Sequence, residues 1–123
     1  MENKILVVDD NEFVLNLISF ILDGEGYQVE TLTCAQGLFE HIFSYHPNLI
    51  IMDATLPDGD GLELCRQIKE AAGTKDIPVV MCSGRDDINN AQYQQGPPDG
   101  ILAKPFDMSE LLEMVEAKLH LAA

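Results

Sequence analysis

Asp9, Asp10, Asp53, Ser83 and Lys104 each stand at or just past the end of a short apolar run. KILVV leads into Asp9-Asp10, LIIM into Asp53, PVVMC into Ser83 and GILA into Lys104-Pro105. A carboxylate emerging from a buried run is costly unless something pairs with it. Three carboxylates crowded together also repel one another, and they cannot all ionise without an intervening cation. Oxygen donors with no His or Cys beside them suit a hard ion, Mg²⁺ before Ca²⁺ or Zn²⁺. A carboxylate can attack phosphorus and form an aspartyl phosphate, a role that suits Asp53. In such a transfer Mg²⁺ and Lys104 would neutralise the equatorial oxygens, with Ser83 donating a hydrogen bond.

Bringing these residues to one place requires particular elements. Strand-like runs fall at Lys4–Val8, Gln28–Leu32, Leu49–Met52, Pro78–Cys82 and Gly100–Ala103. The first, third and fourth are near-continuous and apolar, as expected of strands covered on both faces. Helical periodicities lie between them. Phe13, Leu17, Phe20 and Ile21 form one stripe, and Leu38, Ile42 and Phe43 a second. Leu62, Cys65 and Ile68 form a third, and Leu111, Leu112, Val115 and Leu119 the last. Asp107 and Glu110 have capping-box spacing at the head of that last helix. The segment DDINNAQYQQGPPDG should carry the fourth helix, yet it is polar and closed by two prolines. A short or loose helix is expected there.

The βαβαβαβαβα alternation predicts right-handed crossovers and a mostly parallel sheet with helices on both faces. Ligand groups collect outside the carboxyl ends of the strands in such a sheet. Four of the five runs deliver a reactive residue to that edge, whereas the second ends in Thr31-Leu32-Thr33, as suits an outer strand.

At 123 residues the chain is expected to form one domain, spanning 1–123, with a single real core. Net charge is −14, which argues against direct binding of nucleic acid or an anionic membrane. No apolar run approaches the ~20 residues of a spanning helix. The N-terminal residues lack signal-peptide architecture, so the cytoplasm is the expected location. Cys34, Cys65 and Cys82 show no metal-ligand spacing and read as reduced, packed thiols. His41, His46 and His120 read as surface or helix-edge residues.

Over essentially its whole length the sequence resembles the receiver domain of two-component response regulators. The matching pieces are ILVVDDN, LIIMDATLPDGDGLEL, PVVMCSG and LAKPF, in the family's order and spacing. The resemblance implies a flavodoxin-like, doubly wound five-stranded sheet in the order 2-1-3-4-5 with five helices. It implies that Asp53 accepts a phosphoryl group from the phosphohistidine of a sensor histidine kinase or phosphotransfer protein. Asp10 would bind Mg²⁺ directly, and Asp9 directly or through water. Asp53 and the backbone carbonyl of Thr55 would complete the protein's ligands. Lys104 would pair with the phosphoryl group, and Lys104-Pro105 is similar to a cis peptide of the family, a device that fixes the lysine's direction. Phosphorylation would then switch the surface around helix 4 and strand 5 toward a downstream target or output domain.

Some features depart from the family. Ser83 stands where Thr is commoner and keeps the hydroxyl. Thr55 and Arg85 flank the path of a water attacking the phosphoryl group, positions that modulate its lifetime in the family. Ile101 stands where receivers usually carry Tyr or Phe, and GPPDGI replaces a GADDY-like segment, so the chemistry reads as intact and the readout as altered. Other readings are weaker. DGDG at Asp58–Gly61 suggests a calcium loop, but Leu62 falls where an acidic ligand belongs and no Glu closes it. No GxGxxG or Walker loop is present. Haloacid-dehalogenase-like phosphatases carry a second Asp where this chain has Thr55. A pseudo-receiver, a binding module without phosphochemistry, would not need all five key positions intact.

Overall fold

The alternation of side chains along the central strands decides the architecture. Ile5, Val7, Leu49, Ile51, Val80 and Cys82 point into one buried cluster, which also holds Leu15, Ile18, Leu22, Leu111, Val115 and Leu119. Their strand neighbours Leu6, Val8, Ile50, Met52, Val79 and Met81 point into a second cluster with Leu38, Ile42, Cys65, Ile68 and Ile88. Period-two alternation on strands that are apolar at every position demands cover on both faces.

The computed structural model describes residues 3–84 and 88–122. In chain order its elements are β1 (Lys4–Val8), α1 (Glu12–Gly24), β2 (Gln28–Leu32), α2 (Leu38–Tyr45), β3 (Leu49–Asp53), β4 (Thr55–Leu56) and β5 (Gly59–Asp60). Then follow α3 (Gly61–Glu70), β6 (Val79–Ser83), a 3-10 segment (Ile88–Tyr93), β7 (Gly100–Ala103) and α4 (Met108–Ala122). The main sheet is parallel throughout, in the order β2-β1-β3-β6-β7. Without the small β4–β5 hairpin this is the expected order 2-1-3-4-5. Helices α1 and α4 cover one face, and α2, α3 and the 3-10 segment cover the other.

Two expectations need correction. Among the described residues there are four α-helices, not five, and the fourth crossover carries only the 3-10 segment. The polar INNAQY sequence buries little beyond Ile88 and Ala91, so packing cannot sustain a longer helix. The stripe assigned to α1 also has the wrong phase. Leu15, Ile18 and Leu22 are the residues buried against the sheet, while Phe13, Leu17 and Phe20 are 74%, 46% and 80% exposed. Apart from one polar stripe, Glu12, Asn16, Ser19 and Asp23, helix α1 is apolar over a wide arc, so periodicity alone left its rotation open. Phe43 in α2 likewise faces solvent, while Leu38 and Ile42 are buried.

Local signals set the helix ends. The Asn11 side chain accepts from Val14 N at 3.2 Å and caps α1. Asp60 does the same for α3, accepting from Leu62 N at 2.9 Å. The expected capping box opens α4: Glu110 N donates to Asp107 Oδ1 at 2.8 Å and Asp107 N to Glu110 Oε1 at 3.3 Å. All three cysteines are free thiols, and burial pushes Cys65 and Cys82 up to about 12. His41 pairs with Glu30 and so joins α2 to β2.

The phase of α1 is directly testable by urea unfolding. Ile18→Ala should lose about 2–5 kcal/mol, the range for truncating a buried aliphatic side chain. Phe20→Ala should change stability by about 0.5 kcal/mol or less, as substitutions at exposed positions do.

Candidate functional site

Lys104 reaches two carboxylates from different strands. Its Nζ lies 2.8 Å from Asp9 Oδ2 and 3.2 Å from Asp53 Oδ2. Asp9 follows β1, Asp53 ends β3 and Lys104 follows β7, so the contact ties three strand ends together. Between β3 and β7 lies β6, whose last residue, Ser83, is buried. The Ser83 carbonyl accepts from Lys104 N at 2.8 Å, and the Cys82 carbonyl accepts from Ala54 N at 3.1 Å. These bonds align the residues that follow β3 and β7 on either side of Ser83. The Lys104–Pro105 peptide is cis.

Each of these two carboxylates divides its oxygens between backbone and lysine. Asp9 Oδ1 accepts from Asn11 N at 2.9 Å and Asp53 Oδ1 from Thr55 N at 3.1 Å. The other oxygen of each faces Lys104. Asp9 is only 3% exposed. Burial works against the charge of Lys104, but its hydrogen bond to Asp9 and the charges of Asp53 and Asp9 outweigh it. The ammonium is held above the ordinary lysine range.

Asp10 joins the group from the solvent side. Asp9, Asp10 and Asp53 each offer a carboxylate oxygen within 4.8 Å of the others, a grouping that could hold a metal ion. The donor set is all oxygen, and Lys104 pairs with two of the three carboxylates. That chemistry fits a hard divalent cation such as Mg²⁺.

Thr55 opens β4, with its side chain exposed and its N–H on Asp53. Its carbonyl is placed by the hairpin, in which Thr55 pairs with Asp60 and Leu56 with Gly59. The structure thus brings Asp9, Asp10, Asp53 and Lys104 together, with Ser83 and Thr55 on adjoining strand ends. Arg85 lies outside the described residues.

Gly61 is a site residue that the sequence reading passed over. Its N–H donates to the Ala54 carbonyl at 2.8 Å. A Cβ there would lie 2.1 Å from the Asp53 carbonyl oxygen, so no larger residue fits without moving the backbone of Asp53. The signal was the Gly directly after a capping Asp, read only as a turn.

The description "response regulator receiver domain" belongs to the family model that matches residues 5–116. The chain belongs to this family. Solved structures agree. A CheY-like receiver domain protein from Methanospirillum hungatei is 28% identical, with TM-score 0.90, over 99% of this chain and 97% of that one. A receiver domain protein from Clostridium thermocellum is 26% identical, with TM-score 0.83, over 96% of this chain and 94% of that one. NtrX from Brucella abortus is 31% identical with TM-score 0.88, and this chain spans 28% of its length. The receiver family is a phosphoacceptor signalling module, and Mg²⁺ binding at an acidic pocket is general among its members.

Carboxylate repulsion in this receiver gives a stability prediction. With EDTA present, Asp10→Asn should raise the thermal midpoint by roughly 3 °C, because one of three like charges is removed. Mg²⁺ should raise the midpoint of wild type and leave that of the variant unchanged. Differential scanning calorimetry with and without the ion measures both.

Proposed function

We propose that this chain acts as one receiver unit that accepts a phosphoryl group on Asp53 and relays it as a change of surface. The observation that carries the proposal is the bridge from Lys104 to Asp9 and Asp53, with Asp10 beside it. Asp53 Oδ would attack phosphorus as the bond to the donor histidine nitrogen breaks. Lys104 would move with one hydrogen bond onto a phosphoryl oxygen, and the Ser83 hydroxyl would donate to another. Asp9, Asp10, Asp53 and the Thr55 carbonyl would hold Mg²⁺, which when bound neutralises charge on the transferring group. The chain would catalyse its own phosphorylation and dephosphorylation and no other reaction.

A partner must bring the phosphohistidine, and the surface beside the site suits one. Phe13, Leu17 and Phe20 make an exposed apolar row along α1 at helical spacing. The row borders a cavity of about 350 Å³ lined by Val14, Leu17, Ile18, Lys104, Pro105 and Phe106. An amphipathic helix of a sensor histidine kinase or phosphotransfer protein would lay its apolar face there, with its histidine toward Asp53. No helix among the described residues is long and apolar enough to cross a membrane, which fits a cytoplasmic role.

For the output we propose a switch centred on Ser83, Gly84 and the segment beyond, rather than on an aromatic at position 101. Ile101 is half-buried against the cluster that holds Met81 and Ile88. Residues after the 3-10 segment are pinned. Gln94 Nε2 donates to the Leu62 carbonyl at 3.0 Å, and Asp99 Oδ2 accepts from Lys69 Nζ and Val79 N, both at 2.8 Å. The 3-10 segment itself has little apolar burial and is the natural element to reorder.

Acetyl phosphate with Mg²⁺ should add one alkali-labile phosphoryl group to wild type, read by intact mass. Asp53→Asn should remain unmodified; labelling of that variant to the wild-type extent would place the acceptor elsewhere. A beryllofluoride complex should shift backbone NMR signals most between residues 84 and 93. Silence there, with the largest shifts in β7 and α4, would overturn the proposed switch.

A further inference from the structure

The DGDG sequence does not build a calcium loop, but its first aspartate makes a contact of its own. Asp58 lies in the turn of the β4–β5 hairpin and reaches across to the loop between β2 and α2. Asp58 Oδ1 accepts from Ala35 N at 2.7 Å and Oδ2 from Gln36 N at 3.0 Å. Both oxygens are thus engaged by consecutive backbone amides, a charge-assisted clamp that no neutral side chain reproduces in full. The two loops are also in close contact beside it, since a Cβ on Gly59 would lie 3.2 Å from Ala35 Cβ. The backbone hydrogen bonds from Ala35 and Gln36 hold the Asp58 carboxyl below its ordinary range, consistent with an ionised clamp.

The clamp completes a frame around the acidic cluster. At its base the hairpin is held by Gly61 N on the Ala54 carbonyl and by Asp60 capping α3. At its tip only Asp58 among these residues crosses to another loop. That loop continues from Leu32, whose carbonyl accepts from Asp9 N at 3.0 Å. The short stretch from Leu32, the last residue of β2, to Gln36 is therefore bonded both to the Asp9 backbone and to the hairpin that carries Thr55. Fixing the tip fixes the hairpin's tilt, and with it the direction of the Thr55 carbonyl.

We infer that Asp58 is a positioning residue: its clamp on Ala35 and Gln36 holds the β4–β5 hairpin so that Thr55 meets a divalent cation bound by Asp9, Asp10 and Asp53. This rests on the receiver reading given above. It touches neither the ion nor the phosphoryl group and acts only through the hairpin. Groups that orient metal ligands in this way tune affinity more than they tune overall stability.

The test is Mg²⁺ affinity by isothermal titration calorimetry on the whole chain, alongside thermal midpoints in EDTA. Asp58→Ala should weaken Mg²⁺ binding about tenfold, the low end for losing a ligand-orienting partner. Asp58→Asn, which keeps one acceptor oxygen, should recover part of that loss. Acetyl phosphate labelling of Asp58→Ala should need more Mg²⁺ for half-maximal rate, while the rate at saturating Mg²⁺ stays near wild type. Val115→Ala, a core change in the cluster on the opposite face of the sheet, should keep wild-type affinity despite a lower thermal midpoint. Wild-type affinity in Asp58→Ala, or an equal loss in Val115→Ala, overturns the inference and leaves the receiver reading standing. A wild type that neither binds Mg²⁺ nor accepts phosphate overturns the receiver reading and this inference with it.

Discussion

Two carboxylates placed at the buried edge of a sheet must be compensated, and Lys104 is the group that does it. Asp9 is almost fully enclosed, and a carboxylate there without a partner would favour either its protonated form or an unfolded chain. Lys104 arrives from the far side of β6, so compensation requires β1, β3 and β7 to end at one level. The parallel sheet is what makes that possible, because every strand presents its carboxyl end to the same side. Fold and site are in this sense one constraint. The compensation is also incomplete among the described residues, since Lys104 pairs with Asp9 and Asp53 while Asp10 adds a third carboxylate.

That imbalance shapes the rest of the site. The backbone amides of Asn11 and Thr55 occupy one oxygen each of Asp9 and Asp53, which orients both carboxylates without neutralising them. Gly61 lets α3 begin hard against the Asp53 carbonyl, and Asp60 caps that helix in the same turn. The loop following Asp53 is therefore short, tight and defined from both ends. A loose loop could not hold ligands at the distances a small hard cation requires.

Much of this was legible in the sequence because the central strands are apolar at every position and end in polar chemistry. Continuous runs such as ILVV and LIIM admit little besides a two-faced sheet, and their ends named Asp9, Asp10 and Asp53 directly. Asp107 and Glu110 announced the start of α4 for a similar reason, since capping depends on local spacing alone. The rotation of α1 was not legible. Its apolar arc, from Phe13 and Phe20 round to Leu15 and Leu22, is wider than the face that can be covered, so the sheet, not the pattern, selects Leu15, Ile18 and Leu22 for burial. The same excess of apolar side chains leaves Phe13 and Phe20 in solvent beside the site. The clamp by Asp58 was hidden because it is a contact between loops, invisible to any periodicity. The weak fourth helix was visible as composition, but the bonds by which Gln94 and Asp99 tie the chain beyond it to α3 and β6 were not.

The central claim is that the acidic cluster around Lys104 is a cation site with oxygen ligands from two strand ends. It is tested most directly by adding Mg²⁺ to ¹⁵N-labelled metal-free protein and following backbone amide signals. The account predicts saturable shifts concentrated at Asp9, Asp10, Asp53, Ala54 and Thr55, with Lys104 responding as its carboxylate partners are shared. Shifts that do not saturate, or that spread over the acidic exterior while these residues stay unchanged, would contradict it.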